Sequence, residues 1–108
     1  MARLRYSELS RTDLELIWET IAADSSRSAA AVLGRIHEKI QSLRTRPLFG
    51  HRHRFLPHPV RGLACDGYLI LDRSSAHLVR IDRIIHHSRD PSELDLAPCP
   101  LALAPATI

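Results

Sequence analysis

Apolar residues recur along this chain at two different periods, and the change of period falls at Pro47. Before it, Leu14, Ile17, Trp18 and Ile21 follow one another at i, i+3, i+4 and i+7, the stripe of an amphipathic helix. Ala29, Val32, Leu33, Ile36, Ile40 and Leu43 make a second stripe over four turns. Ser10, with Asp13 three residues on, reads as the N-cap of the first helix in a variant of the capping box. That helix is expected to end near Asp24, with Ser25 and Ser26 as a short link and second N-cap. Pro47 stops the second helix, since proline has no N–H to donate and its ring clashes with the preceding turn. The expected spans are residues 10–24 and 26–45, and so short a link forces an antiparallel helical hairpin.

Beyond Pro47 the pattern is that of strands. Residues 61–66, 68–73 and 78–86 are short runs rich in Leu, Ile and Val. Asp66-Gly67 is a hairpin turn signal between the first two, and Ser74 to His77 closes the next hairpin. A further short strand is expected around Arg54 to Leu56, inside the loop "LFGHRHRFLPHP". At the front of the chain, Arg3-Leu4-Arg5-Tyr6 alternates as a short edge strand would. Alternation fails at Arg83-Ile84-Ile85, which suggests a β-bulge. Consecutive hairpins imply an antiparallel sheet with the helices covering one face, an α+β two-layer domain. Residues 1–94 form this domain in the expectation, and residues 95–108, with three prolines and no period, form a flexible tail.

Length and composition add limits. A chain of 108 residues with 44% apolar and 25% charged residues is one ordinary soluble domain. No apolar run approaches a membrane span, and the first ten residues offer no signal-peptide core, so a cytoplasmic protein without membrane contact is expected. The net charge of +3 conceals an asymmetry. Between Glu38 and Asp66 there is no acid, but there are six cations: Lys39, Arg44, Arg46, Arg52, Arg54 and Arg61. Such a segment attracts nucleic acid or an acidic protein partner, or is a solvated basic loop.

Catalytic and metal chemistry find little support. His51 and His53 share a strand face if that segment is extended, whereas His86 and His87 face opposite ways, so no convergent metal set emerges and no cofactor is expected. Cys65 and Cys99 have no metal spacing, and Cys65 has no neighbouring base to activate it. Acid–base cleavage of RNA is the serious enzymatic option, because Arg61, His86, Arg89 and Asp90 supply some of its parts. A C-terminal Tyr or Lys and a cation on the middle strand's exposed face are missing from that set.

The order of "DLELIWETIA", "AAAVLGRIHEKIQSLRTRPLFG", "VRGLACDGYLILDR" and "VRIDRIIHHSRDPSEL" resembles the ParE/RelE superfamily of toxins from bacterial toxin–antitoxin modules over residues 3–94. Arg61 stands at that family's frequent strand arginine, and Ile84, His86 and Asp90 fit an I-x-H-x-x-x-D ending of its last strand. The resemblance implies a helical hairpin on an antiparallel sheet and a small antitoxin partner, usually ParD-like. RelE-like members cleave mRNA on the ribosome using arginines on the sheet and a C-terminal tyrosine. Here Leu69 and Leu94 stand at those positions, which favours the ParE-like branch, inhibitors of DNA gyrase, over an mRNA endonuclease. The expectation is therefore a non-enzymatic toxin that makes no sequence-specific DNA contact of its own. Its expected target- or partner-binding residues are Arg44, Arg46, Arg52, Arg54, Arg61, His86, Arg89 and Asp90. An antitoxin acidic where it meets residues 39–65 is expected to cover it.

Overall fold

The computed structural model describes residues 1–52, 56, 57 and 59–86. The tail after Asp95 and the expected strand at Arg54 lie outside the described residues. The elements run β1 (Arg3–Tyr6), α1 (Glu8–Ala22), α2 (Ser26–Ser42), β2 (Arg61–Cys65), β3 (Tyr68–Asp72) and β4 (Leu78–His86). Two helices lie on a four-stranded sheet of order β1-β4-β3-β2, the α+β arrangement that the two periods predict. No helix among the described residues is long and apolar enough to cross a membrane.

The sheet is mixed rather than antiparallel throughout. β2, β3 and β4 follow one another as antiparallel hairpins, but β1 pairs with β4 in parallel, Arg3 opposite Leu78 and Tyr6 opposite Ile81. Hairpin logic constrains only strands adjacent in sequence. β1 is separated from the rest by the helical pair and docks on whichever edge that pair brings it to. The β2–β3 turn places Asp66 and Gly67 at φ 51° and 83°. Two consecutive positive φ values match the twist of the flanking strands, and Asp-Gly adopts them at low steric cost.

The first helix begins one turn earlier than its pattern predicts. Its N-cap is Ser7, in extended backbone, whose Oγ accepts from the Ser10 N–H at 2.9 Å. Ser10 is instead a buried first-turn residue whose hydroxyl donates to the Ser7 carbonyl at 2.8 Å. Ser25 caps α2, accepting from the Ser28 N–H at 3.1 Å. Past Ser42 the chain tightens into turns, with Arg46 N–H to Leu43 O at 3.2 Å and Phe49 N–H to Arg46 O at 3.0 Å.

One face of the sheet carries the main core. Ile17 from α1, Ile36 and Ile40 from α2 and Leu43 at the C-cap of α2 meet Leu63, Ile70, Val79, Ile81 and Ile84. Trp18, counted in the first helical stripe, lies 41% exposed on the rim instead. A smaller cluster of Leu56, Val60, Leu71 and Ile85 sits apart from it, with Leu69 packed against it. The bulge in β4 falls at Asp82 rather than at residues 83–85. Pairing passes from Leu71–Arg83 to Asp72–Ile81, which leaves Asp82 as the extra residue.

Beyond Tyr6, β4 outruns its parallel partner and would leave ladder groups unpaired along that edge. Helix α1 supplies them from side chains. Ser7 Oγ donates to the Asp82 carbonyl at 2.7 Å, and Asp13 Oδ2 accepts the Ile84 N–H at 3.0 Å. The same Asp13 carboxylate takes Arg83 in a two-point grip, Nε to Oδ2 at 2.8 Å and Nη2 to Oδ1 at 3.0 Å. Asp13, expected as a capping residue, is thus the fastening between helix and sheet.

Two substitutions test this architecture. Ile36→Ala empties a fully buried position and should lower unfolding free energy by about 2–4 kcal/mol. Asp13→Ala removes the acceptor shared by the Ile84 N–H and two Arg83 N–H groups and should cost about 3–5 kcal/mol. Urea titrations with an unchanged m-value measure both, and a loss below about 1 kcal/mol for Asp13→Ala would remove it from this role.

Candidate partner-binding surface

The residues expected to bind a partner divide into fasteners and exposed groups. Arg44 is half-buried and clasps the N-terminus: its carbonyl accepts the Ala2 N–H at 2.7 Å and its Nε donates to the Ala2 carbonyl at 3.1 Å. Arg61, also half-buried, donates from Nη1 to the Gly50 carbonyl at 3.3 Å and faces Asp72 across the strand pair. Both are occupied by the fold, so the basic segment presents fewer outward cations than its sequence implies. Arg46 and Arg52 are exposed. Arg54, Arg89 and Asp90 lie outside the described residues.

His86 is not part of the same surface. It ends β4 opposite Tyr68, with the two rings edge-to-face at 5.4 Å and 88°. Arg61 lies opposite Asp72, at the other end of β3. Those ends are four residue steps apart along the strand, roughly 13 Å. His86 lines a shallow groove of about 300 Å³ with Asp13, Leu16, Ile17, Tyr68 and Ile84.

The exposed part of the basic segment is held firmly. Arg46, Pro47, Leu48 and Phe49 make a turn closed by the Phe49 N–H on the Arg46 carbonyl, with proline setting the first central φ. The Arg46 guanidinium lies 4.2 Å above the Phe49 ring, a cation–π pair. Gly50 follows, buried, where a Cβ would stand 3.1 Å from both Arg61 Cβ and Asp72 Oδ2. His51 then bridges Gly62 on β2 through two backbone bonds, N–H to O at 2.9 Å and O to N–H at 2.8 Å. Between these anchors Leu48 is 52% and Phe49 41% exposed.

Sequence reasoning missed a buried charge cluster. Asp72 and Asp82 are both fully buried. Asp82 pairs with Arg73 and lies 3.8 Å from Arg80, while Asp72 Oδ1 accepts the Ser74 hydroxyl at 2.7 Å. Asp72 Oδ2 has no hydrogen-bond partner among the described residues. The signal was present: two acids inside apolar strand runs, with arginines at 73, 80 and 83. Burial pushes both carboxyls up. For Asp72 the rise reaches about 6, with nearby Asp82 adding to it and Ser74 and Arg61 opposing it.

Cys65 is buried, and burial together with Asp66 pushes its thiol up, away from the thiolate a nucleophile requires. Among the described residues no three His, Cys, Asp or Glu side chains converge as a metal site. The exposed part of the basic segment presents the Arg46 and Arg52 guanidinium groups beside the Leu48–Phe49 tip.

The Asp72 shift makes a pH prediction. A carboxyl raised from 3.8 to about 6 means that the fold holds its proton more tightly than the unfolded chain does. Stability therefore falls as pH rises from about 4 to 6, and the penalty of the buried charge is complete above that. Asp72→Asn keeps an acceptor for Ser74 without the charge. Near pH 7.5 it should be more stable than the parent by up to about 3 kcal/mol, with the gap closing near pH 4. A variant less stable than the parent near pH 7.5 would show that the carboxylate is needed as an ion.

The ParE toxin model, of the type II toxin–antitoxin system parDE, matches residues 4–91. No curated protein matches the chain. Among solved structures, the chain is similar to one described as the chromosomal ParDE toxin–antitoxin system from P. aeruginosa. That match has 20% identity and a TM-score of 0.68, over 80% of this chain and 96% of the other. The likeness covers the helical hairpin and the mixed sheet, and the family match extends over most of the residues that build them; the chain belongs to the ParE toxin family of type II toxin–antitoxin systems.

Proposed function

We propose that this toxin acts by inhibiting DNA gyrase and is neutralised by a ParD-like antitoxin. The observation that carries the reading is the ParE family match over residues 4–91, and the surface is consistent with it. At the middle of the sheet, where an RNA-cleaving relative is expected to carry a cation, Leu69 is half-buried against the Leu56, Val60, Leu71 and Ile85 cluster. A phosphodiester transition state lacking such a donor loses roughly 10²–10³ in rate per missing group. An inhibitor needs no chemical step of its own. It needs a surface that binds one conformation of the gyrase–DNA complex more tightly than the others. The partner reading draws on the solved relative, which is described as a ParDE system. A ParD-like chain, acidic where it meets residues 39–65, would cover the exposed arginines and the Leu48–Phe49 tip together.

The alternative is ribosome-dependent mRNA cleavage, for which Arg61 and His86 are the described candidates. Their placement at opposite ends of β3 disfavours a joint role. The two readings part in one pair of assays. With purified gyrase, the chain is expected to inhibit supercoiling and to trap cleaved DNA, and an added antitoxin should relieve both effects. In a ribosome-programmed translation mix it is expected to leave mRNA intact. Cleavage in the ribosomal A site, lost in His86→Ala and with gyrase untouched, would replace this reading with the endonuclease.

A further inference from the structure

We infer that the turn Arg46–Phe49, together with Arg52, is a contact element for duplex DNA, in which the two guanidinium groups grip phosphates and Leu48 and Phe49 press on the base stack. The choice of DNA among polyanions rests on the gyrase reading above. The element itself rests on three observations.

The first is charge. From Lys39 to Cys65 there is no carboxylate in the sequence. Arg44 and Arg61 are spent on the fold and Lys39 lies back on α2, so Arg46 and Arg52 are the exposed arginines of the described part of this segment. Among the described residues neither has a carboxylate within ion-pair distance. Guanidinium groups are weakly hydrated and match phosphate oxygens in a fork.

The second is shape. Two large apolar side chains stand adjacent and half-exposed at the tip of a turn, flanked by arginines. Apolar wedges of Phe or Leu between cationic side chains are how proteins unstack a base step while holding the backbone.

The third is rigidity. The turn is closed by the Phe49–Arg46 bond, Pro47 limits its first φ, Gly50 fits where a Cβ would be crowded, and His51 is bonded twice to the edge of β2. Little conformational freedom is left to lose on binding, so exposed apolar surface is presented ready to dock. The Arg46 guanidinium over the Phe49 ring couples the two functions, since it ties the cation to the apolar tip.

The test uses the full-length chain and fluorescence anisotropy with a duplex of about 20 base pairs, intact or carrying a central nick, across a salt series. Binding is expected for both, tighter for the nicked duplex, where a step unstacks at less cost. The double variant Arg46→Gln, Arg52→Gln should reduce the slope of log affinity against log salt by about 1.8, two phosphate contacts' worth. Phe49→Ala should lose most of the preference for the nick while keeping most of the slope. Circular dichroism and thermal midpoints of these exposed-site variants should match the parent. The inference fails if the parent does not bind duplex at low salt, or if the double variant keeps the full slope. It fails also if an RNA hairpin or anionic phospholipid vesicles bind more tightly than duplex DNA. Gyrase inhibition unchanged in the double variant would sink the element and leave the gyrase reading intact. Duplex binding with the expected slope change, by a chain that leaves gyrase unaffected, would support the element and remove that reading.

Discussion

A strand that outruns its neighbour must find other partners for its backbone, and this fold is organised around how β4 does so. β4 occupies the second position in the sheet and makes the longest strand, yet β1 accompanies only its first half. The remaining edge is closed by Ser7 and Asp13, side chains of the helix that begins where β1 stops. A buried N–H without a partner costs about as much as a lost hydrogen bond, so the position of α1 is set by those groups as well as by its apolar face. The Arg83 guanidinium completes the junction by taking both Asp13 oxygens, which gives the acid two reasons to be where it is.

The second layer of charge lies deeper. Asp72 and Asp82 are buried in a domain with few polar groups in its interior, and the arginines beside them do not fully offset the loss of water. Asp72 lies against Gly50, where the basic loop meets the edge of β2. Internal acids, Arg61 and the loop backbone therefore form one contiguous unit. What the surface shows of the positive segment depends on how much of it this unit takes inward.

The helical hairpin was legible because its stripes are long and agree with their caps and with Pro47. The three hairpin strands were legible because Asp-Gly is a strong turn signal and the runs around it are apolar. The direction of β1 was not, because it depends on where the helical pair delivers the strand rather than on local pattern. Ser10 stands in front of the apolar stripe and so looks like a cap, while the cap belongs to Ser7, where the extended backbone of β1 ends. Alternation breaks at residues 83–85, but the bulge lies at Asp82, because its position depends on register with the partner strand. At the surface, counting cations overstated the patch. Pattern does not reveal that Arg44 reaches back to Ala2, or that Arg61 turns toward Gly50. It placed His86 correctly at a strand end, but its distance from Arg61 follows from strand register.

The parallel pairing of the first strand with the last has a consequence for how the chain comes into being. Ser7 and the Asp82 carbonyl that it bonds are 75 residues apart. Contacts of such long range close late, since the loop between them must be ordered before they form. During synthesis the helical hairpin and the β2–β3 pair can form early. The N-terminal strand and the edge-closing residues of α1 must wait until residues 78–86 have left the ribosome. A chain interrupted before that point has its first strand without a partner and its helices without much of the surface they cover. A toxin built this way becomes a folded object only once β4 has been made, which limits what a copy interrupted before that strand can do to the cell that makes it.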